Sequence, residues 1–265
     1  MKTFLKPSLL IALIVVSGRI YSAAADDFFQ NVPAPTQPAD ANQSVTPSQP
    51  AAPAQPAAAA QPAAPSQLIE ESHVVILSEP AVPEKLADGI IVPFGDSLLK
   101  VELFGDNVVR VAFARDRAFF TRQSVITEPK RAIKTDWSLN VENGFAMLAT
   151  PVLQVYVNLT NAVVSFFDAK GRPVLAEKTD GRTITRAEVQ GEQTFHVRQQ
   201  WEPKANESLY GLGQRQIGIL DIKGWDLDLW QHNTHVVVPF LVSSRGYGVL
   251  WDNLSFTRFG DLRPF

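Results

Sequence analysis

Glu207-Ser-Leu-Tyr-Gly-Leu-Gly213 opens the most informative part of the sequence, here called the C-terminal segment (residues 207–265). It continues through Gly224-Trp-Asp-Leu-Asp-Leu-Trp-Gln-His-Asn-Thr-His235 and Val238-Pro-Phe-Leu-Val-Ser-Ser-Arg-Gly-Tyr-Gly-Val-Leu-Trp-Asp-Asn253. Glycine is favoured where the backbone turns tightly or is approached closely by another chain. Because glycines punctuate the apolar runs, we expect short strands joined by tight turns, with the rest of the chain packing beneath them.

Upstream of this segment, apolar and polar residues alternate over short runs. Alternation over 99–103 and again over 109–113, on either side of Gly105-Asp-Asn107, predicts a β-hairpin. The same pattern predicts strands over 153–157, 164–166, 182–189, 194–201, 226–230, 235–242 and 246–251. No run of eleven or more residues has clear helical periodicity. The sequence therefore predicts an all-β fold, an antiparallel β-sandwich preceded by a disordered linker.

The first quarter of the chain is not predicted to be part of the sandwich. Residues 1–25 have the pattern of a signal peptide: Lys2 and Lys6, the apolar run Leu9–Val16, and the small residues Ala23-Ala-Ala25. We expect export to the periplasm or the extracellular space, with no membrane contact after signal cleavage. An uncleaved N-terminal anchor is the alternative, because Arg19 places a charge close to the cleavage site.

Residues 26–67 are predicted to be a disordered linker rich in Pro, Ala and Gln. Between 33 and 66 the only charge is Asp40 and there is no glycine, so the segment has too little apolar surface to offset chain entropy. Prolines stiffen it into a spacer that reaches up to roughly 100 Å at about 3.1 Å per residue. It is either a passive tether or a recognition segment for a proline-binding partner.

Composition excludes several classes of protein. The formal net charge is −3 with intermixed signs, which provides no basic face for nucleic acid or anionic membrane. There is no cysteine, so disulfides and thiolate metal sites are excluded. The exported domain must therefore be stabilised by burial of its core alone.

Four motifs of the C-terminal segment carry a family resemblance: Leu209-Tyr-Gly-Leu-Gly-Gln214, Val238-Pro-Phe-Leu-Val-Ser243, Gly246-Tyr-Gly-Val-Leu250 and Trp251-Asp-Asn253. In this order they resemble the N-terminal β-sandwich of glycoside hydrolase family 31, the α-glucosidases and α-xylosidases. The continuation Ser255-Phe-Thr-Arg-Phe-Gly-Asp261 is most similar to the α-xylosidase branch. The resemblance implies that residues 68–265 form a galactose-mutarotase-like sandwich, with the catalytic barrel expected in cis.

No catalytic residue is predicted within the chain. Retaining glycosidases need two carboxyl groups about 5–5.5 Å apart, and in the family both are aspartates of the barrel. Asp226 and Asp228 are expected on a solvated sheet face, whereas Asp252 and Asp261 are expected to cap backbone amides in turns. No cofactor and no metal are expected.

The polar run Gln231-His-Asn-Thr-His235 is the candidate binding site. By resemblance, Trp230 would stack on a sugar and Gln231, His232, Asn233 and Thr234 would bind hydroxyl groups of an α-xylosyl or α-glucosyl oligosaccharide. A polar hairpin loop without a ligand is the alternative. A metal pair of His232 and His235 is disfavoured, because no cysteine or run of carboxylates accompanies it.

The resulting hypothesis is a non-catalytic N-terminal domain of an exported α-glycosidase, which supports the barrel and contributes a sugar-contacting loop. A stand-alone carbohydrate-binding module without hydrolase activity is the alternative. A mutarotase is a third hypothesis, since the sandwich type is shared; its chemistry needs a positioned acid/base pair.

Overall fold

The structure is a computed structural model that describes residues 13–17, 71–73, 76–122, 124, 126, 135–189, 191–202, 204–253 and 255–260. All of these residues belong to one compact unit. They form β-strands and one short 3-10 helix, η1 (Arg117–Thr121), and every strand pairing among them is antiparallel. The all-β prediction is confirmed. The linker predicted over 26–67 lies outside the described residues.

Seventeen strands are present in the described part of the chain. They are β1 (Leu13–Ser17), β2 (Glu71–His73), β3 (Glu84–Lys85), β4 (Gly89–Phe94), β5 (Ser97–Leu103), β6 (Val108–Ala114), β7 (Ser138–Glu142), β8 (Phe145–Ala149), β9 (Leu153–Asn158), β10 (Val164–Asp168), β11 (Pro173–Val189), β12 (Glu192–Trp201), β13 (Leu209–Gly211), β14 (Leu227–Leu229), β15 (Phe240–Ser243), β16 (Tyr247–Trp251) and β17 (Thr257–Phe259).

The strands form two large sheets and one small one. The first sheet has the spatial order β13-β15-β16-β1-β6-β5-β4-β3, and the second has the order β12-β11-β10-β9-β8-β7 with β2 beside β11. The third contains only β14 and β17. The predicted hairpin is confirmed: β5 and β6 pair from Leu98 with Ala114 to Leu103 with Val109.

The main core lies between the two large sheets. Ile90, Leu99 and Val101 of the first sheet and Leu148 and Phe166 of the second are fully buried members of one hydrophobic cluster. Because side chains alternate between the two faces of a strand, every second residue contributes to this layer. Burying each such side chain stabilises the fold by about 1.5–3 kcal/mol. The period-two pattern of the sequence therefore corresponds to a sandwich core.

Strand β4 is buried on both faces. Its outer face packs through Ile91 against Ala112, Phe119 and Phe120, which form a second apolar cluster under η1. The Asp116 carboxylate caps η1 by accepting the Ala118 N–H at 2.8 Å. A strand that is covered on both faces has a continuous apolar run instead of an alternating one, which explains why alternation did not predict β4.

A buried ion pair interrupts the pairing of β11 with β12. The register shifts between Glu177 and Arg182, and Asp180 within this bulge has a φ of 57°. Arg182 Nη2 donates to both carboxylate oxygens of Glu177 at 2.5 and 2.6 Å, and Glu177 also accepts the Val164 N–H at 3.0 Å. The pair therefore attaches the bulge to the neighbouring strand β10.

Two parts of the chain differ from the sequence interpretation. The strand predicted over 235–242 is wrong in its first half, because the strand β15 begins only at Phe240. Pro239 has no N–H for a ladder, and Val236 and Val238 are exposed. In addition, Leu13–Ser17 of the predicted leader forms a strand, β1, between β6 and β16.

Candidate functional site

The candidate loop, residues 230–235, follows β14 and is closed at its base by a two-residue bridge. Gln214 and Val236 exchange backbone hydrogen bonds of 2.8 and 3.0 Å. Gly213 makes this close approach possible: its φ is 95°, and a Cβ there would lie 1.9 Å from the Val236 carbonyl oxygen. The glycine of the Leu-Gly-Gln motif therefore positions the loop, as expected for a glycine where two backbones meet.

All five predicted site residues are exposed to solvent. Trp230 has 57% of its surface exposed, and Gln231, His232, Asn233 and Thr234 are also exposed. The His235 N–H donates to the His232 carbonyl at 3.1 Å, and Thr234 takes a φ of 83° at the tip of this turn. The sequence motif thus forms a tight, solvent-exposed hairpin loop.

Aromatic rings line one side of the loop. The ring centroids of Trp230 and His232 are 5.5 Å apart, and those of His232 and His235 are 4.1 Å apart. An exposed indole offers an apolar face with a hydrogen-bond donor at its edge, and Asn233 and Thr234 add both donors and acceptors. This combination suits a ligand with apolar faces and many hydroxyl groups.

Gln231 has a different role from its neighbours. Its Oε1 accepts the Val237 N–H at 3.1 Å, so this side chain closes the loop on itself. Its side-chain amide nitrogen is the group that remains for a ligand. Of the five predicted residues, Gln231 is therefore the one that also holds the loop in shape.

The loop is electropositive on the side of Arg215. Desolvation, together with the positive charges of His232 and Arg215, lowers the pKa of His235 below its usual value of 6.5. Arg215 Nη1 donates to the Leu212 carbonyl at 3.0 Å, and its buried Nη2 has no hydrogen-bond partner among the described residues. Desolvation also lowers the pKa of Arg215. His235 therefore binds a proton less readily than an unperturbed histidine does.

The described residues offer little to a metal ion. They contain no cluster of three or more His, Cys, Asp or Glu side chains that could hold one. His232 and His235 supply two imidazoles, whereas zinc sites in proteins usually take three or four protein ligands. The loop is therefore better suited to hydrogen bonding and ring stacking than to metal ligation.

The described aspartates of the C-terminal segment take part in structural contacts. Asp228 is exposed on β14, and its Oδ1 lies 3.3 Å from Arg258 Nε on the paired strand β17. Asp252, which was predicted to cap backbone amides, is buried, and its carboxylate accepts the Ser124 hydroxyl at 2.8 Å. Asp261 lies outside the described residues.

Sequence reasoning missed Glu207, which joins the start of the segment to its later strands. Glu207 Oε1 accepts the Ser243 hydroxyl at 2.6 Å and the Tyr247 hydroxyl at 2.7 Å, while Oε2 lies 3.6 Å from Lys223 Nζ. Burial and the adjacent Glu207 carboxylate raise the pKa of Tyr247. No local pattern marks an acid whose partners lie 36 and 40 positions away.

The C-terminal segment also exposes a set of large apolar side chains. They are Ile217, Leu220, Trp225, Trp230, Val236, Val238 and Phe256. Such a concentration of exposed apolar groups is typical of a surface that another protein part covers. Within the part of the chain that the structure describes, no helix has the length and apolar character needed to cross a bilayer.

Fold and loop together define the class of protein: an antiparallel β-sandwich domain with an exposed aromatic and polar loop at one end. Residues 98–259 match the model of the glycosyl hydrolase 31 N-terminal galactose mutarotase-like domain. Because this match spans more than half of the chain, the chain belongs to that family of domains.

Relatives include an α-xylosidase from Saccharolobus solfataricus, 31% identical over 173 residues, which are 61% of this chain and 23% of that protein. The crystal structure of a family 31 α-xylosidase from Xanthomonas citri superposes with a TM-score of 0.63 at 35% identity, covering 68% of this chain and 20% of that one. A family 31 α-xylosidase from a soil metagenome, crystallised with xylose, has the same fold with a TM-score of 0.58 at 24% identity, covering 67% of this chain and 29% of that one. The chain thus spans a fifth to under a third of these proteins.

Proposed function

We propose that this chain is the N-terminal, non-catalytic domain of an exported α-glycosidase of family 31, an α-xylosidase or α-glucosidase that hydrolyses with retention. The domain supports the catalytic barrel in cis and contributes the loop 230–235 to the binding of an α-xylosyl or α-glucosyl oligosaccharide. The observation that carries the proposal is the solvent-exposed loop with Trp230 exposed at its base. The named α-xylosidases among the relatives support the choice of sugar.

The exposed apolar surface supports the barrel-bracing part of the proposal. Trp225, Val236, Val238 and Phe256 lie in the C-terminal segment and are each about half exposed. If each of them were covered by a neighbouring domain, burial would contribute on the order of 1 kcal/mol per side chain. The same segment carries the loop, so one docking event would both cover these residues and bring the loop to the barrel.

The first test is an assay of the purified 265-residue chain with an aryl α-xyloside and an aryl α-glucoside. We expect no turnover above a mock preparation, because retaining hydrolysis needs two facing carboxyl groups about 5–5.5 Å apart. The aspartates described above serve an ion pair and a buried hydrogen bond instead. Turnover by this chain alone would contradict the proposal.

The second test locates sugar binding on the loop. Titration with an α-xylosyl oligosaccharide, followed by NMR, is expected to shift the indole N–H of Trp230. Binding is also read from the backbone amides of residues 231–235, whose shifts the variant Trp230→Ala is expected to lose without a change in stability beyond about 0.5 kcal/mol. Trp225→Ala is the matched control, because Trp225 is exposed to a similar degree but precedes β14 rather than following it.

Asn233→Ala sharpens this binding test. Loss of one neutral hydrogen bond of about 1 kcal/mol would weaken binding by about fivefold. Shifts confined to residues outside 230–235 would contradict the role of the loop. Tight, saturable binding by the isolated chain, lost in both His232→Ala and Asn233→Ala, would instead favour a stand-alone carbohydrate-binding module.

A further inference from the structure

Strand β1 occupies an unusual place in the first sheet. It pairs antiparallel with β16 over five residues, from Leu13 with Trp251 to Ser17 with Tyr247. On its other side it pairs antiparallel with β6 over four residues, from Leu13 with Val111 to Val16 with Val108. A segment that the sequence identifies as part of a leader therefore fills a central position of the sheet.

The strands on either side of β1 do not pair with each other. Both run antiparallel to β1, so they run parallel to one another with one strand between them. Neighbouring strands are about 4.8 Å apart, which places β6 and β16 about 10 Å apart, too far for a direct hydrogen bond. Removing β1 would leave a gap of one strand in the middle of the sheet.

Both neighbours are held where they are by contacts that do not involve β1. Strand β6 pairs over six residues with β5, and its Val109 and Val111 are buried in the main core. Strand β16 pairs over four residues with β15, and its Tyr247 donates a hydrogen bond to the buried Glu207 carboxylate. Closing the gap would require about 5 Å of movement against a close-packed core.

We propose that the position between β6 and β16 is a strand-acceptor site, which binds an extended apolar strand once the leader is removed. The occupant in the mature protein is a strand from the remainder of the same polypeptide. This inference rests on the proposed function, because export would remove the leader. The source of the occupant is suggested by the relatives, which are three to five times longer than the part matched here. Unpaired N–H and C=O groups on both edges of the gap would otherwise be costly.

The register specifies the chemistry of the occupant. Directly opposed residues point to the same face of a sheet, so the position between Val109 and Val249 faces the core, as does the position between Val111 and Trp251. The intervening position lies beside Arg110, which is 3.6 Å from Glu102. The site therefore requires apolar residues at alternate positions, tolerates polar ones between them and excludes proline, which cannot donate to the ladder.

The experiment compares the 265-residue chain with a form that begins at Asp26. Amide hydrogen exchange is measured by NMR at Val109, Val111 and Leu250, whose N–H groups point toward β1 because their neighbours Val108 and Trp251 bond on the opposite side. We expect removal of the leader to accelerate exchange at these amides by at least about tenfold, because their ladder partners are lost. In case the shortened form fails to fold, the variant Val15→Pro in the full chain provides a second route to an empty site.

Peptides added to the shortened form test what the site accepts. A synthetic peptide with the sequence of Leu13–Ser17, flanked by lysines for solubility, is expected to restore slow exchange. A version with serine at the positions of Ile14 and Val16 is expected to restore it as well. Versions with serine at the positions of Leu13 and Val15, or with proline at the position of Val15, are expected to have no effect.

Several outcomes would overturn the inference. Unchanged exchange after leader removal would mean that β6 and β16 close on each other, and no response to any peptide would mean that the gap is not a binding site. A dimer that restores slow exchange without peptide would assign the site to a second copy. In the whole mature enzyme these amides are expected to be slow without peptide, and binding of added peptide there would exclude an occupant in cis. No sugar is involved, so failure of the proposed glycosidase function would be detected separately.

Discussion

The sandwich core and the C-terminal segment are built from the same kind of short antiparallel strands, yet they bury very different amounts of apolar side chain. Among the described residues, the core cluster contains twenty buried ones, most of them from the two large sheets. The cluster within the C-terminal segment contains four, namely Leu212, Ile222, Leu227 and Leu229. The same segment exposes Trp225, Trp230 and Phe256.

This difference indicates that stability and recognition come from different regions of the domain. Burial of apolar surface is the main favourable term in folding, so the residues that stabilise this domain are ordinary Val, Leu, Ile and Phe at alternating positions. The motifs that identify the family lie in the segment with the smaller core. A segment that is poorly covered within its own domain is suited to contact something outside it. If the core provides stability and the C-terminal segment provides recognition, variants of the two regions should have different kinds of effect.

The largest effect is expected where a charge is buried in the sandwich core. Glu177 and Arg182 each have only 4% of their side chain exposed. Arg182→Met would leave the Glu177 carboxylate buried without its cation, which costs about 3–5 kcal/mol. The free energy of unfolding, measured by urea denaturation, is expected to fall by this amount.

Two controls show whether the loss of unfolding free energy comes from leaving a charge buried or simply from breaking an ion pair. Arg172→Met breaks a surface pair with Asp168, whose atoms are 2.6 Å apart and whose arginine is 75% exposed, and is expected to cost far less than the loss of the buried pair. The double variant Glu177→Leu with Arg182→Met removes both charges and is expected to recover much of the loss. Equal losses of unfolding free energy for Arg172→Met and Arg182→Met would contradict the expectation that burial makes the Glu177–Arg182 pair costlier to break.

An intermediate effect is expected at Glu207, the acid that joins the C-terminal segment together. Glu207→Ala would leave the hydroxyls of Ser243 and Tyr247 without their acceptor, at a cost of about 1–3 kcal/mol. Because this contact lies within the segment, amide exchange is expected to accelerate in β13 and β15 while β4 and β5 remain protected. Uniform acceleration throughout the molecule would show that the two regions unfold as one unit.

The pattern of burial also determines which strands could be predicted from the sequence. Alternation at Leu153, Val155 and Val157 indicates a strand with one buried face, and the structure confirms it. Strand β4 was not predicted, because η1 covers its second face and removes the alternation. Periodicity detects one-sided burial, so it fails wherever a strand is covered twice.

The sequence predicted where along the chain the candidate site lies, but it did not predict the three-dimensional arrangement of the site. A polar run between Trp230 and Val236 is visible in the sequence, and the structure makes it an exposed loop. The bridge between Gln214 and Val236 and the hydrogen bond of Gln231 to Val237 join residues by tertiary contacts that local patterns do not report. The continuous strand predicted over 235–242 failed because Pro239 interrupts it.

The smallest effect is expected at the loop itself, where the measurable quantity is a pKa rather than a stability. Desolvation first, and then the charges of His232 and Arg215, lower the pKa of His235 below 6.5. A histidine with a lowered folded-state pKa binds fewer protons than the unfolded chain does. Its contribution to stability is therefore complete above pH 6.5 and is lost as the pH falls through the folded pKa.

An NMR titration of the imidazole resonances tests this arrangement. Arg215→Gln removes one of the two positive neighbours and is expected to raise the pKa of His235. Because desolvation remains as the first cause, the value should stay below 6.5 in the variant. The backbone resonances of β4 and β5 are expected to stay unchanged, since Arg215 donates to the Leu212 carbonyl, which belongs to neither strand. A pKa of His235 above 6.5 in the parent chain would mean that neither desolvation nor the neighbouring His232 and Arg215 acts on the ring as in this structure, and the site would need a different geometry.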